Sequence, residues 1–399
     1  MLRFYEFFAG AGLVRAGLAH DWSPVWANDN DPDKRAVYGL NYNLDSWDGR
    51  DVAEVRVGDL PPGADMAWAS FPCQDLSLAG WRRGMSAGRS GTFWAFWGLM
   101  RDLYDRHDRP PVIVIENVVG LLHSDSFVGL CEALAALGMQ FGPLVIDARY
   151  FLPQSRPRVF VVAVDARTNS APFVTSTAST CSWFPKAVHA AQAALPPRLL
   201  HLWRFWDVPR PTEPPPALAD IIADNPSAVP WHSVAETEHV LGLMSAGNRA
   251  KIDAALSLGG RAVGLLYRRT RAGQQRAEVR FDGIAGCLRT PTGGSSRQTV
   301  VIVSAGRVRS RLLAPREAAA LMGAPDYALP PNYNSAYKAM GDGVAVPVVD
   351  WLSRHLLVPL AAASRQPASR QPIDASRGLP TGSRRTADDL AARWLAAHR

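Results

Sequence analysis

Cysteine is scarce in this chain, with four residues in 399, and the four lie far apart. None of their spacings is typical of a metal-binding cluster or of a disulfide framework. We therefore expect no metal site and a reduced compartment, which suits a reactive thiol. The four residues are Cys73, Cys131, Cys181 and Cys287.

Long apolar runs are also lacking, since no segment approaches the ~20 residues that span a membrane. Hydrophobic residues make up 47% and charged residues 20% of the chain, as in soluble globular proteins. With no leader before the first strand-like segment, we expect a cytoplasmic protein with no membrane partner. The length allows two domains. The formal charge of +7 is compatible with a polyanionic partner, although many basic chains have none.

The chain begins with a strand, a glycine turn and a helix. Leu2 to Phe8 is strand-like, Ala9-Gly10-Ala11-Gly12 follows, and Leu13 to His20 has helical spacing. This unit brings a ligand close to backbone amides, although a plain tight turn explains two glycines equally well. Leu13 and Val14 follow Gly12, so the G-x-G-x-x-G pattern is incomplete. That favours an adenosyl ligand without a pyrophosphate over NAD.

Two carboxylates follow predicted strands. Pro24 to Ala27 is the second strand, and Asp29 comes after it, about 20 residues beyond the glycine turn, where an acidic residue contacts ribose hydroxyls. A short strand over Val52 to Val57 would end at Asp59, whose carboxylate can accept a hydrogen bond from an exocyclic amine. A capping or turn aspartate is the other interpretation of Asp59.

Cys73 follows a buried strand over Asp65 to Phe71, just beyond a proline. At the end of a parallel strand a thiol lies where open α/β sheets bind ligands, although a lone cysteine is more often a small buried hydrophobe. The segment Leu76 to Gly91 has no apolar period and predicts a mobile loop whose arginines can hold phosphates. The candidate contacts in that loop are Ser77, Arg82, Arg83 and Arg89.

Polar residues also end the later strands. The apolar strand Pro111 to Ile115 leads into Glu116, a candidate proton donor, unless it is a salt-bridged structural residue. Strands over Val145 to Phe151 and Val159 to Val164 enclose a polar group that suits nucleotide contacts, or a surface charge pair. That group is Gln154, Arg156 and Arg158. The alternation of strands and helices through residue 164 predicts a parallel α/β sheet.

Taken together and in order, these motifs resemble those of the DNA (cytosine-5)-methyltransferases. They are Phe8-x-Gly10-x-Gly12, Pro72-Cys73-Gln74, Glu116-Asn117-Val118 and Gln154-x-Arg156-x-Arg158. Further on, Arg311 to Pro325 is similar to the family's ninth motif and Gly341 to Val344 to its tenth. The resemblance covers residues 1–165 and 305–358.

The resemblance implies a Rossmann-like S-adenosylmethionine-dependent methyltransferase fold, with a mostly parallel sheet and a smaller, irregular target-recognition domain. By it, Phe8 faces the adenine of S-adenosylmethionine, Gly10 and Gly12 the methionine end, Asp29 the ribose and Asp59 the adenine amine. The other implied cofactor positions are Asn30, Leu60, Thr92 and Asp342. At the substrate base the resemblance makes Cys73 the nucleophile. It implies that Glu116 engages N3 and the amino group, that Arg158 binds O2, and that Gln154 and Arg156 support them.

Three positions depart from the family pattern. Leu13 replaces a glycine common after the turn, Asn30 stands where an aromatic residue often stacks on adenine, and Asp342 replaces the usual asparagine. We expect these changes to affect adenine packing and not the catalytic set.

The middle of the chain loses the alternating pattern. From residue 165 to about 304 it is rich in arginine, and the loop from Thr290 to Gln298, with Arg297, suits contacts to phosphates, although a solvated basic face is the simpler interpretation. We expect residues 1–165 plus 335–360 to form the catalytic domain and 166–334 the target-recognition domain with the ninth motif. Residues 361–399 should be a disordered tail with a short helix at most.

The sequence thus predicts an enzyme that methylates C5 of a flipped-out cytosine in double-stranded DNA. A tRNA-methylating relative shares these motifs, and a non-catalytic DNA-binding relative is the second alternative. We expect a monomer, and a cognate restriction endonuclease is a partner that the resemblance leaves open.

Overall fold

The computed structural model describes residues 1–72, 91–123, 125–178, 180–226, 229–271, 273–289 and 297–365. All of these residues belong to one compact unit, Met1–Arg365. Cys73, the loop contacts at Ser77, Arg82, Arg83 and Arg89, and the tail from residue 366 lie outside the described residues.

A seven-stranded sheet with the order β3-β2-β1-β4-β5-β7-β6 forms the larger part. Its strands are β1 (Leu2–Phe7), β2 (Trp22–Asn28), β3 (Trp47–Asp48), β4 (Met66–Ala69), β5 (Val112–Asn117), β6 (Met139–Asp147) and β7 (Pro157–Asp165). The predicted mostly parallel sheet is confirmed, and β7 is the antiparallel exception. Its short connection from β6 leaves no room for a crossover helix, so the two strands pair as a hairpin.

Helices pack around this sheet, except for Val234–Gly242 and Ala246–Ser257, which belong to the core of a second, smaller sheet. The helices are α1 (Leu13–Leu18), α2 (Pro32–Asn41), α3 (Thr92–Asp105), α4 (Asp125–Ala136), α5 (Lys186–Ala193), α6 (Pro197–Leu200), α7 (Leu218–Ile221), α8 (Val234–Gly242), α9 (Ala246–Ser257), α10 (Pro315–Leu321), α11 (Tyr333–Asp342), α12 (Val346–Leu352) and α13 (Val358–Ser364). The helical run Tyr333–Ser364 is long and apolar enough to cross a membrane by length and composition. It includes core residues such as Tyr337, Val349 and Leu360, so we read it as the core helix of a globular unit.

Two local predictions differ from the structure. The expected strand over Val52 to Val57 is replaced by two 3₁₀ turns, Val52–Glu54 and Val57–Asp59. The side chains of Asp51 and Asp59 accept the backbone N–H groups of Ala53 and Arg56, and these local bonds compete with strand pairing. Strand β6 begins earlier than predicted, at Met139, and it also ends earlier, because Asp147 caps the 3₁₀ turn Ala148–Tyr150.

The region expected to be irregular contains a four-stranded antiparallel sheet with the order β11-β10-β8-β9. Its strands are β8 (Ala262–Arg271), β9 (Gln274–Arg280), β10 (Thr299–Ser304) and β11 (Arg307–Leu312). A separate small core lies on it, with Ile252, Leu266, Val279 and Val301 among its members. The predicted domain boundaries stay predictions, while helix α13 extends to Ser364, beyond the predicted start of the tail.

Candidate active site

The site lies at the carboxyl edge of the large sheet. In the registers of its parallel strands, Phe7 of β1 stands opposite Asn28 of β2 and Ala69 of β4, and Ala69 stands opposite Ile115 of β5. The residues after these strands therefore gather along one edge, as in other open α/β sheets.

The glycine turn after β1 has backbone angles that side chains rarely adopt. Phe8, Gly10 and Gly12 all have positive φ values, of 57°, 58° and 81°. A Cβ on Gly12 would lie 2.7 Å from the Tyr42 ring, so glycine is required there for space as well as for conformation. The Phe8 ring packs edge-on against Phe71, with centroids 6.2 Å apart, which connects the turn with the strand that leads to Cys73.

Asp29 lies beside this turn, as the sequence predicted, and is 5% exposed. Its carboxylate accepts the N–H of Gly10 at 3.0 Å and that of Asp31 at 3.0 Å, and lies 3.4 Å from the Lys34 ammonium. These bonds fix its orientation at the strand end.

Asp51 is a carboxylate at this edge that the sequence analysis missed. The amide of Asn30 donates to its Oδ2 at 3.2 Å, so it lies next to the predicted cofactor residues. It follows β3, whose two residues were too short a signal to detect. Had Trp47–Asp48 been recognised as a strand, Asp51 would have been found by the rule that identified Asp29.

The structure places Asp59 on the second 3₁₀ turn. Its carboxylate accepts the Arg56 N–H at 2.9 Å and lies 3.0 Å from the Arg50 guanidinium, and these partners hold the pKa of Asp59 below its usual range. Leu60, which follows, is a buried core residue. Its role and that of Asp59 at the adenine stay predictions.

Glu116 and Arg158 form the centre of the opposite half of the edge. Glu116 is 7% exposed, and its Oε1 lies 3.2 Å from Nε of Arg158. The antiparallel register of β5 and β7 pairs Glu116 with Phe160, two residues from Arg158, so strand pairing itself produces this diagonal contact. Nearby, the Asn117 amide donates to the Phe71 carbonyl at 3.1 Å, which places the end of β4 beside Glu116.

Arg156 and Gln154 are buried among backbone groups. The Arg156 guanidinium donates to the carbonyls of Leu288, Gly341 and Gly343 at 3.0, 2.8 and 2.6 Å, and burial together with Arg158 lowers its pKa to about 10. Gln154 donates to the Leu321 carbonyl at 2.6 Å and accepts the Leu288 N–H at 3.2 Å. Both side chains join distant segments of the chain, and the supporting role at the substrate base stays a prediction.

Cys287 is a second thiol at this site that the sequence analysis did not assign. Its sulfur lies 3.2 Å from Nη1 of Arg156 and 3.9 Å from Nη2 of Arg158. Burial opposes its ionisation, but Arg156 and Arg158, together with Arg289, outweigh burial and lower the pKa of Cys287.

The remaining predicted positions lie around this edge. Thr92 begins α3, and Asp342 ends α11 between the two glycines whose carbonyls bind Arg156. The Arg297 guanidinium lies 5.3 Å from the Tyr333 ring centroid and donates to Asn334. The Leu13 side chain packs against Gly343 of the tenth motif. A Cβ added to Gly343 would lie only 2.3 Å from the leucine, so the leucine occupies the space beside this glycine.

Comparisons with known proteins identify the family that the chain resembles. Residues 2–357 match the family model "C-5 cytosine-specific DNA methylase". Type II methyltransferase M.Bsp6I of Bacillus sp. is 31% identical over 173 residues, which is 41% of this chain and about half, 52%, of that relative. Type II methyltransferase M.MspI of Moraxella sp. is 23% identical over 91% of this chain and 72% of its own, and M.HhaI of Haemophilus parahaemolyticus is 24% identical over 89% and 94%.

Solved structures give the same fold. The S. pombe Dnmt2 methyltransferase has a TM-score of 0.57 at 17% identity, with 90% of this chain and 99% of that chain covered. The Entamoeba histolytica methyltransferase EhMeth has a TM-score of 0.59 at 14% identity, with the same coverage. At these identities the likeness concerns the fold.

Proposed function

Since the chain belongs to the C-5 cytosine-specific DNA methylases, we propose that it transfers a methyl group from S-adenosylmethionine to C5 of a flipped-out cytosine in double-stranded DNA. The observation that carries the proposal is the Glu116–Arg158 pair beside the end of β4, on the same sheet edge as the glycine turn. One edge thus provides for both the cofactor and the substrate base.

The cofactor half fits an adenosyl group. A left-handed glycine turn leaves room for close approach, and the buried Asp29 offers a carboxylate at the strand end. We assign the ribose to Asp29 and the region of the adenine to Phe8, Asn30 and Asp51. S-adenosylmethionine supplies an electrophilic methyl group on sulfur, and the residues of this half hold and orient it.

On the substrate half, Cys73 attacks C6 of cytosine, forming a sulfur–carbon bond and making C5 electron-rich. Glu116 supports the attack by donating a proton or a strong hydrogen bond at N3, while Arg158 binds the O2 oxygen and holds Glu116 in place. After C5 has accepted the methyl group, a base removes the C5 proton and the C6–sulfur bond breaks. These groups reach the edge of the base only after it has left the helix.

The arginine-rich hairpin of β8 and β9 supports a nucleic-acid substrate, because its exposed end suits phosphate contacts, and the family of the chain favours DNA. Several relatives are Type II methyltransferases, and a cognate restriction endonuclease is the partner that this would imply. The monomeric state and the cytoplasmic location stay predictions.

The test is covalent trapping with 5-fluorocytosine, which lacks the C5 proton that must leave. Duplex DNA and, separately, tRNA, each carrying 5-fluorocytosine, are incubated with the protein and S-adenosylmethionine. We expect a stable DNA adduct whose peptide maps to Cys73, lost in Cys73→Ala and kept in the control Cys181→Ala. An adduct with tRNA alone would overturn the DNA substrate, and no adduct with either would favour the non-catalytic alternative.

A further inference from the structure

Two tyrosine hydroxyls hold the outer side of the glycine turn. The Tyr327 hydroxyl donates to the Ala11 carbonyl, and the Tyr42 hydroxyl donates to the Gly12 carbonyl at 3.3 Å. The two rings are neighbours, with centroids 6.2 Å apart. Burial raises the pKa of both phenols, so both remain protonated at neutral pH and able to donate. Two consecutive carbonyls of the turn are thus bound by side chains from outside it.

The two tyrosines come from distant parts of the chain that are joined beside the turn. Tyr42 immediately follows α2, and Tyr327 follows α10. The Asn41 side chain connects them by accepting the N–H of Ala328 at 2.9 Å and donating to its carbonyl at 3.0 Å. The segment just after the ninth motif therefore reaches back to the end of α2, beside the glycine turn.

The Tyr42 ring is held independently of its hydroxyl. The Arg15 guanidinium lies 4.1 Å from the ring centroid and donates to the Tyr38 hydroxyl at 3.0 Å. Buried Glu6 accepts the Arg15 N–H at 3.2 Å and the Tyr38 hydroxyl at 3.3 Å, and burial raises the pKa of Glu6 to about 8. Removal of the Tyr42 hydroxyl should therefore leave the ring in place.

A held carbonyl also fixes an amide. In a planar trans peptide the C=O and the following N–H point in opposite directions. The bond at Ala11 therefore orients the Gly12 N–H, which closes the turn by donating to the Ala9 carbonyl at 2.9 Å. The Gly12 carbonyl, which also accepts the Ala16 N–H at 3.0 Å, sets the direction of the Leu13 N–H. We propose that Tyr42 and Tyr327 are positioning residues that fix the glycine turn in its ligand-binding conformation and so set the affinity for S-adenosylmethionine. This inference rests on the proposed function, because it assigns the turn to that cofactor.

The chain offers a matched control for the test. Tyr333 also donates its hydroxyl to a backbone carbonyl, that of Leu313 at 2.8 Å, and it lies in the same C-terminal part of the chain as Tyr327. Tyr333→Phe removes the same kind of hydrogen bond without touching the turn. Its effect measures what the loss of a phenol–carbonyl bond does to the protein in general.

The experiment measures the dissociation constant of S-adenosylhomocysteine by calorimetry without DNA, together with the melting temperature, for full-length Tyr42→Phe, Tyr327→Phe, Tyr333→Phe and the wild type. Loss of one hydrogen bond of about 1 kcal/mol predicts an approximately fivefold weaker affinity in each of the first two variants. We expect Tyr333→Phe to bind as the wild type does, even if its melting temperature falls equally. In turnover assays the first two should raise KM for S-adenosylmethionine and leave kcat nearly unchanged.

Two results would overturn the inference in distinguishable ways. Unchanged affinity in both turn variants, or an equal loss in Tyr333→Phe, would refute the positioning role and leave the proposed function standing. No binding of S-adenosylhomocysteine by the wild type would refute the cofactor assignment itself, and the inference with it.

Discussion

The two sheets of this protein differ in how deeply their strands are buried. In the seven-stranded sheet, β5 is buried along its whole length, and its end carries Glu116 on a rigid strand. In the four-stranded sheet, the hairpin of β8 and β9 is buried only near its base, and its far end exposes Arg268, Arg269 and Arg276. Chemistry needs side chains fixed to within a fraction of an ångström, whereas phosphate binding needs accessible charge. We call the seven-stranded sheet the platform, and the exposed far end of the β8–β9 hairpin, with Arg268, Arg269 and Arg276, the projection.

A buried ion pair marks the junction between them. Arg311 of β11 and Glu317 of α10 are almost fully buried, and their two parallel hydrogen bonds are 2.6 and 2.8 Å long. Glu317 also accepts the N–H of Ala314 at 2.8 Å and of Ala223 at 2.9 Å. The small sheet is therefore attached to the ninth-motif helix by bonds that water does not screen.

The largest effect is expected on the platform, from Glu116→Gln. This change keeps the size of the side chain but removes the acid, so the single-turnover methylation rate should fall about 10³-fold, within the range of lost acid–base catalysis. Affinity for S-adenosylhomocysteine should be unchanged. Glu132→Gln, at an exposed pair with Arg198, is the control and should retain full activity. A rate within threefold of the wild type would remove Glu116 from the mechanism.

The junction is tested next, by Glu317→Gln. Removing one charge leaves Arg311 buried without its partner, so the free energy of unfolding should fall by about 3 kcal/mol. Asp224→Asn breaks the exposed pair with Arg261 and should cost less than 1 kcal/mol. Denaturant unfolding of both variants measures the difference. Equal losses would mean that burial does not distinguish the two pairs.

On the projection, we expect a smaller and salt-dependent effect. The double variant Arg269→Gln/Arg276→Gln removes two exposed charges of the hairpin, so the slope of log affinity for DNA against log salt should decrease by about 2. The methylation rate at saturating DNA should stay the same. Arg167→Gln, an exposed arginine at the end of β7, serves as the control. An unchanged slope in the double variant would exclude the hairpin from the phosphate contacts.

The smallest effect is expected on the rate at which the Cys287 thiol is alkylated. Because Arg156 and Arg158 lower the pKa of Cys287, more of its thiolate is present near pH 7 than for an ordinary cysteine. In a Cys73→Ala background, iodoacetamide should modify Cys287 a few times faster than Cys181 at pH 7. The advantage should shrink as the pH rises past about 8.5, where thiols in general ionise. Mass spectrometry of the two peptides provides the rates. A ratio that does not depend on pH would contradict the influence of the two arginines.

Prediction from sequence succeeded where a signal was local. The glycine turn and Asp29 were located because each follows a strand of a parallel sheet, and strand ends share one edge. It failed at Asp51, since a strand of two residues has no period to detect. The middle region was expected to be irregular because hairpin strands such as β8 and β9 lack the strand–helix alternation that identified the first part.

The sequence by itself determined the strand–helix alternation of the first part of the chain, most of the residues at its strand ends and the resemblance that connects them, because these depend on patterns within a few residues. Tertiary structure alone decided which partners those residues meet. Arg156 binds the carbonyls of Gly341 and Gly343, and Tyr327 binds that of Ala11. Such contacts join residues that are far apart in the chain, and only the packing of helices α10 to α12 against one another and against α1 and α2 brings them within hydrogen-bonding distance.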